Sequence, residues 1–192
     1  AGKTALMLGS SNGHKDVCSI LLLCRRHTKN HRYPQHMLNF GAQVDMTDNF
    51  GGTALINASE HGHLDVCLVL LQHGAEVDIR DNEGRTALMF ASFKDHPDCC
   101  LMLLQHGAEL DIEDNAGYTS FDVACMSKSY GSIQVLMENE ALLSCSDSGL
   151  EYISTQFITR PPLLKLVKQE QNWRRRKPWL LFWLALRRSV FA

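Results

Sequence analysis

The chain lacks several of the motifs that mark common enzyme classes, and it lacks an apolar run long enough to span a membrane. It contains no glycine-rich phosphate-binding loop, no His-Glu-x-x-His motif and no pair of Cys-x-x-Cys motifs, which disfavours the nucleotide-dependent and zinc-dependent enzymes that use them. The apolar run from 179 to 186 has eight residues, whereas a helix needs about 20 to cross a bilayer. No set of nucleophile, base and orienting group is visible. We therefore expect no enzyme, no catalytic residue and no cofactor.

What the chain does contain is a recurring phrase. Gly-x-Thr-Ala-Leu occurs at 2–6, 51–55 and 84–88, and a variant follows at 117–121. The last two steps between equivalent threonines are 33 residues each. A fixed period of this size indicates stacked units, each too small to bury a core alone. Arrays of this kind bind other molecules far more often than they catalyse reactions.

Residues 81–113 illustrate one unit. Its Asp-Asn-Glu-Gly start is typical of a turn, because Asp and Asn bond their own backbone and Gly adopts a positive φ. Thr86 is predicted to cap a first helix over residues 87–91, which include Met89 and Phe90. Pro97 fits the first turn of a second helix, which Gly107 is predicted to end. The segment 108–112 is expected to be extended and to lead into the next turn.

The period, the turn residues and the paired helices closely resemble the ankyrin repeat over residues 1–143. This resemblance implies an all-α solenoid of helix-turn-helix units with β-turn fingers, and a basic, partly apolar C-terminal tail at 144–192. The four repeats are expected at about 1–47, 48–80, 81–113 and 114–143. Because Ala1 lies inside a turn and the first helix is uncovered, we also expect further repeats upstream.

The chain departs from the family pattern at three kinds of position. The usual Pro of the phrase is Ala54 or Ala87, and the usual Asn after the second helix is Asp45, Asp78 or Asp111. The usual His is absent as well. These changes remove a side-chain hydrogen bond that normally steadies the turn, so individual repeats are expected to be softer than the consensus.

An insert at 24–39 interrupts the first repeat. It carries four Lys and Arg residues, three histidines and no acid, and we expect a basic loop or an overrun of the second helix. Four of its residues could in principle hold zinc with nitrogen and sulfur ligands: Cys24, His27, His31 and His36. Their spacing matches no known pattern and the neighbouring arginines repel a cation, so we predict no metal site.

Cysteine and histidine also recur within the repeats. Cys18, Cys67 and Cys100 share one repeat position, where a small apolar side chain is needed. The histidines 14, 63 and 96 share another, which predicts a structural polar contact. The thiols need no disulfides and no signal peptide is visible, so we expect a reducing cytoplasmic location, with the nucleus as the alternative.

Charge divides the chain into two parts. Residues 1–144 contain 10 Lys and Arg against 18 Asp and Glu, whereas residues 145–192 contain 9 against 3. An acidic array favours a basic protein segment as partner and disfavours nucleic acid; it could also attract the tail of its own chain. We expect the array to be a monomer.

The tail admits three interpretations: a cap on the last repeat, contact with a membrane surface, or a segment with little order. Basic residues beside aromatic ones suit an anionic bilayer surface. The residues predicted to make that contact are Arg174, Arg175, Arg176, Lys177, Trp179 and Trp183.

The resemblance also implies a binding surface, since ankyrin proteins usually hold their partner in a concave groove of turn tips and first helices. The turn positions are Asn49, Phe50, Gly52, Arg80, Asn82, Glu83, Arg85, Glu113, Asn115 and Tyr118, and the first-helix ends add Glu60, His61, Phe93 and Lys94. The aromatic residues are the most informative, because exposed aromatics beside Arg are typical anchors of an interface.

The predicted function is protein–protein recognition, as a scaffold or adaptor. Two alternatives stay open. The basic aromatic tail could act as a membrane-surface tether. The chain could also be a substrate adaptor of a ubiquitin ligase. Some ankyrin proteins carry a C-terminal recruitment box for the ligase, which Pro161-Pro162-Leu163-Leu164 resembles only weakly.

Overall fold

Eight helices and no strand make up the part of the chain described by the computed structural model, residues 2–23 and 42–139. The all-α prediction is confirmed there. In chain order the helices are α1 (Ala5–Ser11), α2 (Lys15–Leu23), α3 (Ala54–Glu60), α4 (Leu64–Gln72), α5 (Ala87–Phe93), α6 (Pro97–Gln105), α7 (Ser120–Ser127) and α8 (Tyr130–Glu138).

The first helix of every pair begins after a threonine. Each threonine has extended backbone, and its hydroxyl oxygen accepts the backbone N–H three residues further along at 3.2–3.4 Å. This bond satisfies one of the N–H groups that a helix start leaves unpaired. The predicted cap by Thr86 is therefore confirmed, and the recurring phrase marks where each first helix starts.

Glycine follows the ends of α4 and α6, as predicted for Gly107. Gly74 and Gly107 have φ values of +85° and +89°, a left-handed conformation that costs glycine little. The expectation of an extended segment at 108–112 was wrong in part, because the backbone bends at Leu110 and Asp111.

The helices form two layers. α1, α3, α5 and α7 pack side by side in one layer, and α2, α4, α6 and α8 form the second layer behind them. The core lies between the layers and repeats with the sequence: Leu6, Leu55, Leu88 and Phe121 occupy one position of the first helices, and each is at most 1% exposed. Burying each such side chain contributes about 2 kcal/mol, but only when the adjacent repeat is in place.

The aspartates that replace the usual Asn also connect repeats. A carboxylate oxygen of Asp45 accepts the backbone N–H of Glu76 at 3.2 Å, and Asp78 accepts that of Glu109 at the same distance. Burial raises the pKa of both aspartates; the N–H bond opposes the rise, and the nearby glutamate charge adds to it. The Asp variant thus keeps a hydrogen bond at this position but places a charge where it is disfavoured.

Replacing Asp78 with Asn is expected to stabilise the array at pH 7, since an amide oxygen can still accept from Glu109 and carries no charge. The folded-state pKa of Asp78 is raised above its unfolded value, so its contribution to stability is lost as the pH rises through the folded pKa. The gain in melting temperature over the wild type should therefore be present at pH 7 and shrink below about pH 4. A gain that is the same at both pH values would contradict this explanation, and Glu113→Gln controls for removal of an exposed charge.

A second stability prediction concerns Ser120, the first residue of α7. Its hydroxyl is buried and has no hydrogen-bond partner within the described part of the chain. The other repeats have Ala5, Ala54 and Ala87 at this position. Ser120→Ala should raise the free energy of unfolding by about 1 kcal/mol, because an unsatisfied polar group is removed. The reciprocal change Ala87→Ser should lower it by a similar amount; denaturant titration of both variants would refute the idea if their effects had the same sign.

Candidate partner-binding site

Three turns before first helices, here called fingers, are described completely: residues 48–52, 81–85 and 114–118. The aspartate that opens each finger accepts the N–H groups two and four residues further along at 2.8–2.9 Å. The fourth residue is a glycine with a φ of +79° to +83°, a conformation that other residues rarely adopt. The fingers therefore keep one backbone shape while their third and fifth residues vary.

Asparagines at the second position connect neighbouring fingers. The backbone N–H of Asn82 donates to the carbonyl of Phe50 at 2.9 Å, and its side-chain amide donates to the carbonyl of Asn49 at 3.0 Å. Asn115 repeats both contacts with the carbonyls of Glu83 and Asn82. Two residues that the resemblance placed in the binding surface thus hold the fingers in register.

Arg80, another predicted partner residue, also spans two fingers. Its Nε donates to the carbonyl of Gly84 at 3.1 Å and its Nη2 to the carbonyl of Glu113 at 2.8 Å. Loss of the Arg80 side chain would therefore disturb the shape of the surface as well as its charge.

Arg85 lies where a finger meets a first helix. Its guanidinium pairs with Asp81 and with Glu83, both at 2.8 Å, and stands over the ring of Phe90 at 4.6 Å from the centroid. The Asp81 side chain is almost fully buried, so this ion pair fixes the guanidinium against the helix. Two acids offset its charge, and its flat face covers an aromatic ring.

A pocket of about 190 Å³ opens beside Arg85 on the finger side of the first helices. Phe93 is half exposed at 50%, and Lys94 lies over its ring with Nζ 5.4 Å from the centroid. Lys94 also pairs with Glu60 of the preceding repeat at 3.6 Å. No residue of a second helix lines the pocket, whose walls are Glu60, Arg85, Met89, Phe90, Phe93, Lys94 and Val123.

The structure thus brings four of the predicted residues together: Glu60, Arg85, Phe93 and Lys94. The other predicted residues with side chains are exposed but do not line this pocket: Asn49, Phe50, His61, Arg80, Asn82, Glu83, Glu113, Asn115 and Tyr118. Phe50, at a fingertip, is 70% exposed. Tyr118 is 36% exposed at the base of the last finger. Gly52 is buried and donates its N–H to Asp48, so it contributes shape to its finger and no side chain to the surface.

Sequence reasoning missed Met89, Phe90 and Val123. Met89 and Phe90 were predicted only as part of the first helix, and both do lie in α5. A usable signal was the repeat position: Asn57, Phe90 and Val123 all stand four residues after a capping threonine. Leu8 is also apolar at this position in the first repeat, so the usable signal is the pair of apolar residues in successive repeats, Phe90 and Val123.

Contacts between repeats position the end of α5 and its neighbours. His96 bonds the carbonyl of Glu60 at 3.1 Å, as His63 bonds the carbonyl of Ser11. The structural role predicted for these histidines is confirmed at both positions. In the last repeat Ser129 replaces the histidine and donates to the carbonyl of Phe93 at 3.0 Å.

Asp95 adds a cap across repeats. It has a positive φ of 58°, unusual for a residue other than glycine. Its carboxylate accepts the N–H of Ser132, in the first turn of α8, at 2.8 Å. The side chain of Ser129 does not cap α8 itself, so the preceding repeat supplies the acceptor.

The recurring thiols are buried in the core. The sulfur atoms of Cys18, Cys67 and Cys100 lie 3.6–3.7 Å from a serine hydroxyl of the same repeat. Burial raises the pKa of Cys100 to about 11, so its thiol stays protonated at neutral pH and is a poor nucleophile. These residues act as small core side chains, as predicted.

Residues 9–13 match the Gly-x-Ser-x-Gly spacing of serine hydrolases. That motif requires a serine on a sharp turn from a strand into a helix. Here Ser11 is the last residue of α1, and its carbonyl is bonded by His63. Ser11 therefore does not have the geometry of a hydrolase nucleophile, and the match in spacing does not indicate one.

Several predictions fall on residues outside the described ranges: the cluster Cys24, His27, His31 and His36, and the tail contacts from Arg174 to Trp183. Within residues 2–23 and 42–139, no group of three His, Cys, Asp or Glu side chains could hold a metal ion. No helix in those same ranges is both long and apolar enough to cross a bilayer.

The family model for ankyrin repeats (3 copies) matches residues 31–114 and 83–147, together more than half of the chain. No curated protein matches the chain. The first helix pair, α1 and α2, precedes the matched residues but has the same threonine cap and packs against α3 and α4. Ankyrin repeats generally mediate protein–protein interaction. By its repeat period, its stacked helix pairs and the match to the family model, this chain belongs to the ankyrin-repeat family.

Proposed function

We propose that the chain is a protein-recognition module, a scaffold or adaptor, that holds its partner against the fingers and first helices. The observation that carries this proposal is the pocket beside Phe93. Phe93 is half exposed, and folding does not require an aromatic residue there, because Glu60 occupies the same position one repeat earlier. Exposed aromatic side chains in a concave site are typical anchors of an interface.

The surrounding charge supports a partner segment that is basic as well as apolar. The described ranges contain 17 Asp and Glu against 6 Lys and Arg. The two cations at the pocket are already paired, Arg85 with Asp81 and Glu83 and Lys94 with Glu60. A segment that places an apolar side chain in the pocket and Lys or Arg beside it would be attracted by the remaining acids.

The two alternative functions have a different basis. The membrane tether and the ubiquitin-ligase adaptor depend on residues 160–188, which lie outside the described ranges. We propose recognition through the repeats as the principal function, because the candidate surface for it is made of described residues, whereas the residues needed for the two alternatives are not described. We propose the cytoplasm as its location.

The test is quantitative affinity capture from cell lysate with the full chain, comparing the wild type, Phe93→Ser and Leu101→Ser. Leu101 is a matched control: it is 41% exposed, but it lies on α6 in the layer of second helices. Phe93→Ser should reduce recovery of the specific partners at least about tenfold, since burial of a Phe side chain contributes about 1.5–3 kcal/mol. Leu101→Ser should leave recovery unchanged.

Circular dichroism melting would show that both variants are folded, as expected for half-exposed positions. Recovery of the same partners in the same amounts by Phe93→Ser would refute the proposed site. Arg80, Asn82 and Asn115 are unsuitable for this test, because their side chains link the fingers.

A further inference from the structure

We infer that the basic aromatic segment at 174–183 of this same chain occupies the pocket beside Phe93 and competes there with an external partner. The inference rests on the proposed function, whose binding site it uses, and adds a regulatory occupant. Three observations carry it: the charge of the two parts, the chemistry of the pocket, and the length of chain that joins them.

The first observation is charge complementarity. The described repeats carry a net charge of −11 from 17 acids and 6 bases. The segment 174–183 contains four Lys and Arg residues and no acid, and Arg187 and Arg188 follow it. Charges of opposite sign on the two parts of one chain favour an intramolecular contact, and the attraction is screened as salt is added.

The second observation is the fit between the segment and the pocket. Trp179 follows directly after Arg174-Arg175-Arg176-Lys177-Pro178. An indole can lie against Phe90 and Phe93, and the cations of Arg85 and Lys94 already face aromatic rings at 4.6 and 5.4 Å. Three acids face two cations at the pocket and on its finger, so the flanking arginines of the segment meet a net negative charge there. The acids are Glu60, Asp81 and Glu83, and the cations are Arg85 and Lys94.

The third observation is reach. The described chain ends at Asn139, directly after α8, and α8 packs on α7, which contributes Val123 to the pocket. The 34 residues from 140 to 173 separate that point from Arg174 and could span up to about 110 Å when extended. Tethering over such a distance gives a local concentration near the millimolar range, so even a weak contact would be populated.

The chain carries its own probe for this contact. All three tryptophans, Trp173, Trp179 and Trp183, lie in the tail, and the described ranges contain none. Acrylamide quenching of tryptophan fluorescence therefore reports on the tail alone. In the full chain at low salt, Phe93→Ser should shift the emission to longer wavelength and increase quenching, whereas the matched control Leu101→Ser should do neither. Equal quenching in Phe93→Ser and the wild type would overturn the inference.

A second experiment tests competition directly. A fluorescein-labelled peptide of residues 172–188 is titrated against the wild-type full chain and against the full-chain variant Trp179→Ser/Trp183→Ser, whose own segment is weakened. The peptide should bind the double variant at least about tenfold more tightly than the wild type, because the tethered copy no longer competes. Adding Phe93→Ser to the double variant should abolish the difference. Equal affinity for the wild type and the double variant would overturn the inference.

The outcomes separate this inference from the proposed function. If Phe93→Ser abolishes partner capture but leaves quenching unchanged, the recognition site stands and the intramolecular contact falls. If it changes quenching but not partner capture, the contact stands and the proposed function falls. If the tryptophans become protected only on phosphatidylserine vesicles, equally in the wild type and in Phe93→Ser, the segment serves a membrane surface and the inference is overturned.

Discussion

Each repeat depends on its neighbour both to bury its apolar helices and to satisfy its buried polar groups. A single helix pair leaves one side of its first helix open, and that side is closed only when the next first helix packs against it. Hydrogen bonds follow the same rule, since His96 bonds the carbonyl of Glu60 in the preceding repeat and Asn115 bonds that of Glu83. Stability in this chain is therefore a property of the interfaces between repeats.

This dependence leaves a limited set of positions free to recognise another molecule. The opening Asp and the Gly of each finger maintain its backbone, the Asn links it to the next finger, and the capping Thr starts the helix. The backbone shape and the links between fingers do not depend on the third and fifth finger positions or on the outward positions of the first helices. Residues at such positions line the pocket: Arg85 comes from a finger, and Phe90, Phe93 and Val123 come from two first helices.

The same turn chemistry contributes to the acidity of the array. Asp48, Asp81 and Asp114 are needed because a carboxylate accepts two backbone N–H groups within its own finger. These three of the 17 acids in the described ranges are present for folding, so part of the negative charge favours a basic partner without specifying a particular one. Within residues 2–23 and 42–139, the cations that stand over aromatic rings, Arg85 and Lys94, both lie at the pocket, and an acid offsets the charge of each.

The sequence by itself determined the architecture of this protein. The signals that predicted it are local or strictly periodic, so they can be recognised without knowledge of the fold. They are the period, the capping threonines, the left-handed glycines and the repeated histidines. The roles of individual surface residues were decided by the tertiary structure. Arg80 and Asn82 were predicted to contact a partner, yet their side chains are engaged by neighbouring fingers; Phe90 was assigned to a helix, yet it lines the pocket. These differences arise because residues 33 positions apart in sequence become neighbours only after stacking, and a side chain's contacts across that interface depend on the particular residues that meet there.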